Sequence, residues 1–374
     1  MEVLPRIFAA DTLLSLLADL AQHVEGVRKG EEAEAVHQMR VASRRLRTAM
    51  ELLEPWLPAS DFRRWRKRVK RVTKALGAAR DVDVQVEAVE AALAPASKGD
   101  RPGLERLGLR LAQRRESLQP KLITALARMQ DELLGDLRSG LVAWRSSPAE
   151  PGSASGSASG SASGVRDLLE AARAGLLRRV DEMMAYEPFI ARPQHVAELH
   201  DMRIAAKHLR YALETFAPLF KGQFGWQVKA VREVQSRLGD VHDADVWIEF
   251  LPEFLMEERE RFERFFGHGR GFVKFDRGVR AFLESQRARR SVCYEGFLAW
   301  WREESRCGQW VELRRSLVEA VGRAKVLGLR PAGASKVEPP AAESGGDGSA
   351  KERAEPEVIV PASLPLVERR LGSG

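Results

Sequence analysis

The sequence predicts an all-α protein built from two copies of one helical unit, and three observations carry that prediction. Leu, Ala, Arg and Glu are abundant while Tyr occurs only 3 times, a balance that favours helices over the β-branched and aromatic runs of strands. The segment HQMRVASRRLRTAMELLEPWL at His37 aligns without a gap on HDMRIAAKHLRYALETFAPLF at His200, with nine of twenty-one positions identical. A second pair follows at nearly the same separation, LGAARDVDVQVEAV from Leu76 and LGDVHDADVWIEFL from Leu238.

Each copy is expected to hold about four helices: one ahead of the His segment, the His helix itself, the helix that enters the Asp segment, and a long return. Pro55 with Pro58, and Pro218 in the second copy, end the His helices, because the proline ring and its missing N–H cannot continue a helix. Gly77 and Gly239 mark a break or a close packing point. The first return is periodic from Leu104 to about Trp144; the second begins near Gly271 and runs beyond Trp300. A last helix with Trp310, Leu313, Leu317 and Val321 closes the fold. The expected architecture is two pseudo-symmetric four-helix bundles, residues 1–147 and 165–330, with a basic central cavity. Residues 148–164, PAEPGSASGSASGSASG, have little apolar surface to bury and read as a flexible linker. Residues 331–374, rich in Pro, Gly, Ala and Glu, read as a disordered tail whose apolar stretch Val358 to Leu366 could dock on a protein partner.

The chain carries a net charge of +7, and residues 331–374 hold five basic and seven acidic side chains, so residues 1–330 carry +9. Such an excess attracts anions without naming one: nucleic acid, anionic lipid and polyphosphate all fit. Cys293 and Cys307, the two cysteines, lack the paired spacing of a zinc site or disulfide framework and suit a reducing cytoplasm. Glu2, Asp11 and Asp19 interrupt the apolar N-terminus, so neither a targeting segment nor a membrane span is expected.

At about 100° per residue, Met39, Ala42, Leu46, Ala49, Met50 and Leu53 share one arc of the first His helix, and His37, Arg40, Arg44 and Arg47 lie opposite. The second helix repeats the division, with His200, Arg203, Lys207 and Arg210 on its polar arc. Solubility is normally served by mixed charges. Here each stripe has four bases and one acid, Glu51 or Glu214 at matching positions, read as carboxylates that orient Arg47 and Arg210 or their neighbours. The next helix adds Lys67, Lys70 and Lys74 on one face. In the second copy Lys229 and Arg232 match the first two, while Ser236 replaces Lys74 and makes that surface weaker. Arg106, Arg110 and Arg114 form a third row on the first return, with Arg277, Arg280 and Arg287 as candidates in the second. Rows of cations facing one groove call for a multivalent anion, and phosphate oxygens match the Arg fork, the Lys point charge and protonated His. Binding of a linear polyanion should weaken steeply with salt.

These two motifs, H-x-x-R-V-A-x-R-R-L-R at His37 and L-G-x-x-R-D-x-D-V at Leu76 with their partners at His200 and Leu238, resemble those of the CHAD domains, conserved-histidine α-helical domains. The resemblance spans residues 1 to about 330. It implies two similar four-helix bundles with a basic cavity where they meet, and binding of inorganic polyphosphate without catalysis. The contacts it implies are His37, Arg40, Arg44, Arg47, Lys70, Lys74 and Arg80, with His200, Arg203, Lys207, Arg210, Arg232 and His242. The chain departs from the pattern where His242 replaces Arg80 and where the Gly/Ser/Ala connector is longer than a bundle junction requires. The E-x-E-x-K signature of a triphosphate-hydrolysing partner is missing, since EEAEAV at Glu31 lacks the Lys.

Several rival readings are weighed on the same residues. His242, Asp243 and Asp245 form a possible metal-ligand set, but Arg80 stands in place of the histidine in the first copy, and capping or pairing with Arg is the expected role of these aspartates. Phosphotransfer through His37 or His200 lacks a nucleotide-binding loop. His23, His195, His208 and His268 are unmatched between copies and read as ordinary. The tryptophans are expected to pack the bundles, and bases stacked on aromatics, as in single-stranded nucleic acid binding, are not expected. No cofactor or metal is anticipated, nucleic acid is a disfavoured ligand, and the expected location is the cytoplasm, at polyphosphate granules. A metal-dependent phosphate-chain hydrolase or phosphotransferase and a general polyanion binder are the alternatives.

Overall fold

The periodicities become helices in the expected order. The computed structural model describes residues 3–29, 33–147, 159–220 and 223–326, and every regular element in them is helical. The first half consists of α1 (Val3–Gln22), α2 (Val24–Lys29), α3 (Ala33–Leu53), α4 (Ala59–Leu93), α5 (Arg101–Met129), a π-turn (Gln130–Leu134) and α6 (Gly135–Ser146). The second consists of α7 (Ser159–Met184), α8 (Val196–Phe216), α9 (Gly225–Phe266), α10 (Val273–Arg306) and α11 (Gln309–Val326). The His helices α3 and α8 stop before short 3-10 turns at Glu54–Trp56 and Ala217–Phe220, which hold Pro55 and Pro218, and Pro58 caps the start of α4. Helix α7 opens at Ser159, inside the tract read as a flexible linker. Ala and Ser extend a helix already nucleated by the apolar run that follows, because adding a residue to a helix is far easier than starting one. Residues 148–158 and 331–374, with the proposed docking stretch, lie outside the described residues.

Apolar patterning explains the packing. The segment Pro5–Lys29 has the length and hydropathy of a membrane span, yet its Ala9, Leu13, Leu17, Leu20, Val24 and Val27 lie in the core. That core does not divide at the repeat boundary. It runs through Leu46 and Met50 of α3, Val69 of α4, Leu176 of α7, Leu209 of α8, Val231 of α9 and Leu313 of α11, and Phe8 stacks on Phe216 with ring centroids 6.5 Å apart. Residues 1–329 accordingly form one compact unit. A second core lies where the far halves of α4, α5, α9 and α10 meet, around Val89, Leu107, Trp247, Leu251 and Phe282. Helix α9, with 42 residues, is about 63 Å long at 1.5 Å per residue and serves both cores.

The repeat is legible in matched contacts. Arg115 of α5 bonds Asp83 of α4 at 2.6 Å, and Arg290 of α10 bonds Asp245 of α9 in the same way. This register pairs Gly103 with Gly278, and these two glycines face each other where α5 crosses α10. A Cβ on Gly103 would lie 2.2 Å from the backbone oxygen of Phe275, and one on Gly278 would lie 1.9 Å from that of Asp100. Only glycine permits so close a backbone approach.

Candidate anion-binding site

Helices α3 and α8 pack against each other, so their basic arcs meet. Arg40, Arg44 and Arg47 of α3 and Arg203 and Lys207 of α8 feel one another's charge. Lys207 is only 8% exposed. Burial first, then Arg44, Arg203, Arg47 and Arg40, lower its ammonium to about 7. Burial likewise holds the guanidiniums of Arg44 and Arg203 below their ordinary range. Among the described residues, no carboxylate lies within 4.0 Å of Arg44, Arg203 or Lys207, and the Nε of Arg203 is buried without a hydrogen-bond partner. Asp243 and Asp81 offset part of the Arg203 charge from beyond ion-pair distance, and burial outweighs them. Buried cations so incompletely balanced are unfavourable in isolation and favourable once an anion arrives.

Gly77 and Gly239 are not breaks, since α4 and α9 run through them, and neither is a tight packing point. A Cβ at Gly77 would lie 3.8 Å from Nε of Arg40, and at Gly239 3.5 Å from Nε of Arg203. The glycine of the L-G motif therefore lies beside the arginine of the His motif in each repeat, at a distance where a Cβ would make only ordinary contact.

Other members of the stripes are held by partners. Arg40 donates to Asp81 at 3.1 Å. Arg47 lies 3.5 Å from Glu51, which also faces Arg66 at 3.6 Å. Arg210 donates to Glu214 and Gln235, both at 2.9 Å, and lies over the Tyr211 ring at 4.6 Å. Glu214 is also 3.5 Å from Arg45, tying α8 to α3. Arg80 bonds Glu87 at 2.7 Å. On α4, Arg66 and Asp81 reach Glu51 and Arg40 of α3, and Lys70, Lys74 and Gly77 occupy the turns between them. Lys70 and Lys74 thus border the cluster as an exposed rim, with Lys67 one position further round the helix. Lys229 and Arg232 are exposed at the matching places on α9.

The histidines differ between repeats. His200 and His242 place their Nδ1 atoms 3.1 Å apart, with ring centroids at 4.3 Å. Burial, then Arg203, lowers both, His242 to about 4. One Nδ1–H therefore donates to the other's lone pair, and the pair is uncharged at neutral pH. The expectation that histidines here act as protonated donors is thus corrected for the second repeat. In the first, His37 is half-buried on α3 and has no imidazole at the place of His242, which Arg80 takes.

The third row does not join the cluster. Arg106 and Arg110 both donate at 2.7 Å to Glu258 of α9, which is 2% exposed and also takes a hydrogen bond from Arg261. Glu258 lies fifteen residues beyond Asp243 on α9, about 22 Å at the helical rise. Arg110 is therefore a structural residue of the second core rather than a groove residue, because a buried carboxylate claims it. Arg114 is exposed on α5. Arg277, Arg280 and Arg287 pair with Asp100, Asp276 and Glu284. A row spaced by four residues reports a helix face, and only tertiary structure says what that face meets.

Asp81, Asp83 and Asp245 pair with Arg40, Arg115 and Arg290. Among the described residues, no group of three or more His, Cys, Asp or Glu is placed to hold a metal. Trp301 stacks on Trp310, and Trp300 meets both edge-on. Sequence reasoning missed Arg45, which ties α8 to α3, and Tyr211, whose ring carries Arg210; neither has a matched chemical type in the other repeat.

The CHAD domain family model matches residues 11–252. In structure the chain is similar to the CHAD domain from the plant Ricinus communis, at 26% identity and a TM-score of 0.52 over 80% of this chain and 92% of that one. It is also similar to PptA from Streptomyces chartreusis, at 18% identity and a TM-score of 0.48 over 79% and 98%. No curated protein matches the sequence.

Proposed function

The chain belongs to the CHAD domain family, and we propose that its α3–α8 cluster is a non-catalytic receptor for inorganic polyphosphate. The observation that carries this reading is the trio Arg44, Arg203 and Lys207, drawn from both repeats, crowded together and with no carboxylate within 4.0 Å among the described residues. A chain of phosphates supplies what the trio lacks, negative charge repeated along a line. Arg44 and Arg203 offer planar forks to phosphate oxygens and Lys207 a point charge. Arg40 and Arg47 join by exchanging their carboxylates for phosphate, and Lys70, Lys74, Lys229 and Arg232 steer the chain in from the rim. Residence at polyphosphate granules in the cytoplasm follows from this reading.

Titration with long-chain polyphosphate and with double-stranded DNA at matched salt tests it. Polyphosphate is expected to bind at least tenfold more tightly, to weaken steeply with salt, and to lose about a hundredfold in affinity in the R44A/R203A double variant, about 2.8 kcal/mol. Equal affinity for DNA overturns the ligand assignment. Release of orthophosphate from polyphosphate with a divalent metal overturns the non-catalytic one.

A further inference from the structure

The two repeats differ on the outer side of α4 and α9. The pairs Arg115/Arg290 and Gly103/Gly278 set the register of α5 against α10, and the buried pairs Leu122/Phe297 and Leu126/Trp301 agree with it. Ala125 then stands where the second repeat has Trp300. In that repeat the indole fills its place, with the Arg237 guanidinium over the ring at 5.1 Å and Trp310 edge-on at 6.1 Å. In the first repeat the place is open. A cavity of about 360 Å³ lies there between α4 and α5, floored by Val72, Met129 and Leu133 and rimmed by Arg68, Arg71, Lys121 and Arg128. The π-turn supplies its end wall, an element common at functional sites.

Charge on this rim is unbalanced. Glu132, the only acid lining the cavity, is 3.8 Å from both Arg68 and Arg71, and Arg68 is already paired with Asp136 at 2.7 Å. Among the described residues, no carboxylate comes within 4.0 Å of Lys121 or Arg128. The floor of the cavity faces away from the polyphosphate cluster, since Arg68 and Val72 lie roughly 160° round α4 from Lys70, while Arg71, about 60° from Lys74, stands at the border between the two. Its volume falls in the range of small-molecule sites.

We propose that this cavity is a second ligand site, for a planar aromatic ring carrying phosphate, the chemistry of a nucleoside diphosphate. The ring takes the place that Trp300 fills in the other repeat, against the apolar floor and under an arginine of the rim. The phosphates meet Lys121, Arg128 and Arg71. An apolar floor alone would accept any hydrophobe, and a basic rim alone any anion; together they select a molecule with both parts.

Calorimetric titration of the full chain with ADP tests this, with adenosine and pyrophosphate as the separate halves of the probe. ADP is expected to bind saturably and at least tenfold more tightly than either half. A125W, which installs the residue of the other repeat, and K121E should each lower ADP affinity at least tenfold while leaving polyphosphate binding intact, which also shows that they fold. R44A/K207A should leave ADP affinity within twofold. Absence of ADP binding at millimolar concentration, or unchanged affinity in both A125W and K121E, overturns the proposal. So does loss of ADP binding in R44A/K207A alone, which would assign the nucleotide to the polyphosphate cluster.

Discussion

Two groups of cations on this protein are made of the same residue types and built in opposite ways. At the second core, Arg106, Arg110 and Arg261 converge on one buried carboxylate, Glu258. Burial pushes that carboxyl up, and the three hydrogen bonds outweigh burial and hold it below its ordinary range. At the α3–α8 contact, Arg44, Arg203 and Lys207 have no carboxylate at ion-pair distance among the described residues, Asp243 and Asp81 act on Arg203 only from farther off, and Lys207 falls to about 7. The first group is complete within the chain and holds helices together. The second is complete only when something else supplies the negative charge. The presence of a matched acid, rather than the number of bases, separates a structural cluster from a binding one.

The sharpest way to break this comparison is to remove the matched acid. Glu258→Ala leaves three arginines without their shared carboxylate, and because their side chains are 32%, 29% and 43% exposed and can be solvated, the loss is about 2 kcal/mol, below that for a fully buried pair. Denaturant unfolding of the variant should show a loss of that size, with polyphosphate affinity unchanged under native conditions. A loss below about 1 kcal/mol would place the Glu258 cluster among ordinary surface pairs.

The converse substitution should have the opposite sign. Lys207→Met removes a buried cation that has no partner and keeps the length of the side chain, so the free protein should gain about 2 kcal/mol while polyphosphate affinity falls at least tenfold. The gain depends on pH. The lysine is lowered from 10.5 to about 7, so its unfavourable charge is fully present below pH 7 and fades as pH rises toward 10.5. The difference in melting temperature between variant and wild type should therefore shrink from pH 6 to pH 9. Phosphate binding favours the charged lysine, so wild-type protein should take up a proton on binding above pH 7 and lose up to tenfold in affinity per pH unit. Lys207→Arg should flatten that dependence. A pH-independent wild-type affinity between 7 and 9 would mean that no polyanion touches Lys207.

Much of this was readable from the chain alone, for reasons that can be named. From His37 to the end of α3 at Leu53 the His motif spans almost five helical turns, so its two arcs separate by arithmetic, and Met39, Leu46 and Leu53 are fully buried as that arithmetic requires. The repeat implied that the two basic arcs are equivalent, and equivalence about a common core brings them together. The failures are all of partner rather than face. Arg110 sits on a regular basic row, but its partner Glu258 is 148 residues away in a helix whose apolar pattern says nothing of a lone buried acid. His242 was read from its alignment with Arg80. Its neighbour His200 lies on another helix, and the neutrality of the pair follows from that contact. The cavity at Ala125 is a missing side chain, and an absence is invisible until the register of α5 and α10 is known.

The smallest change sharpens the comparison within the binding cluster itself. His242 occupies the place of Arg80, and at neutral pH it brings no charge because burial and Arg203 hold it near 4. His242→Arg makes the second repeat match the first at this position, adds one permanent cation and removes the imidazole contact with His200. One added phosphate contact should steepen the dependence of log affinity on log salt by about one unit and raise affinity about threefold at moderate salt. The free protein should lose a few tenths of a kcal/mol as another unpaired cation joins Arg203. Titrations at several salt concentrations check this. An unchanged slope would show that the bound chain does not reach this end of α9, and that the first repeat, with Arg80 and Lys74, carries the phosphate contacts on that side alone.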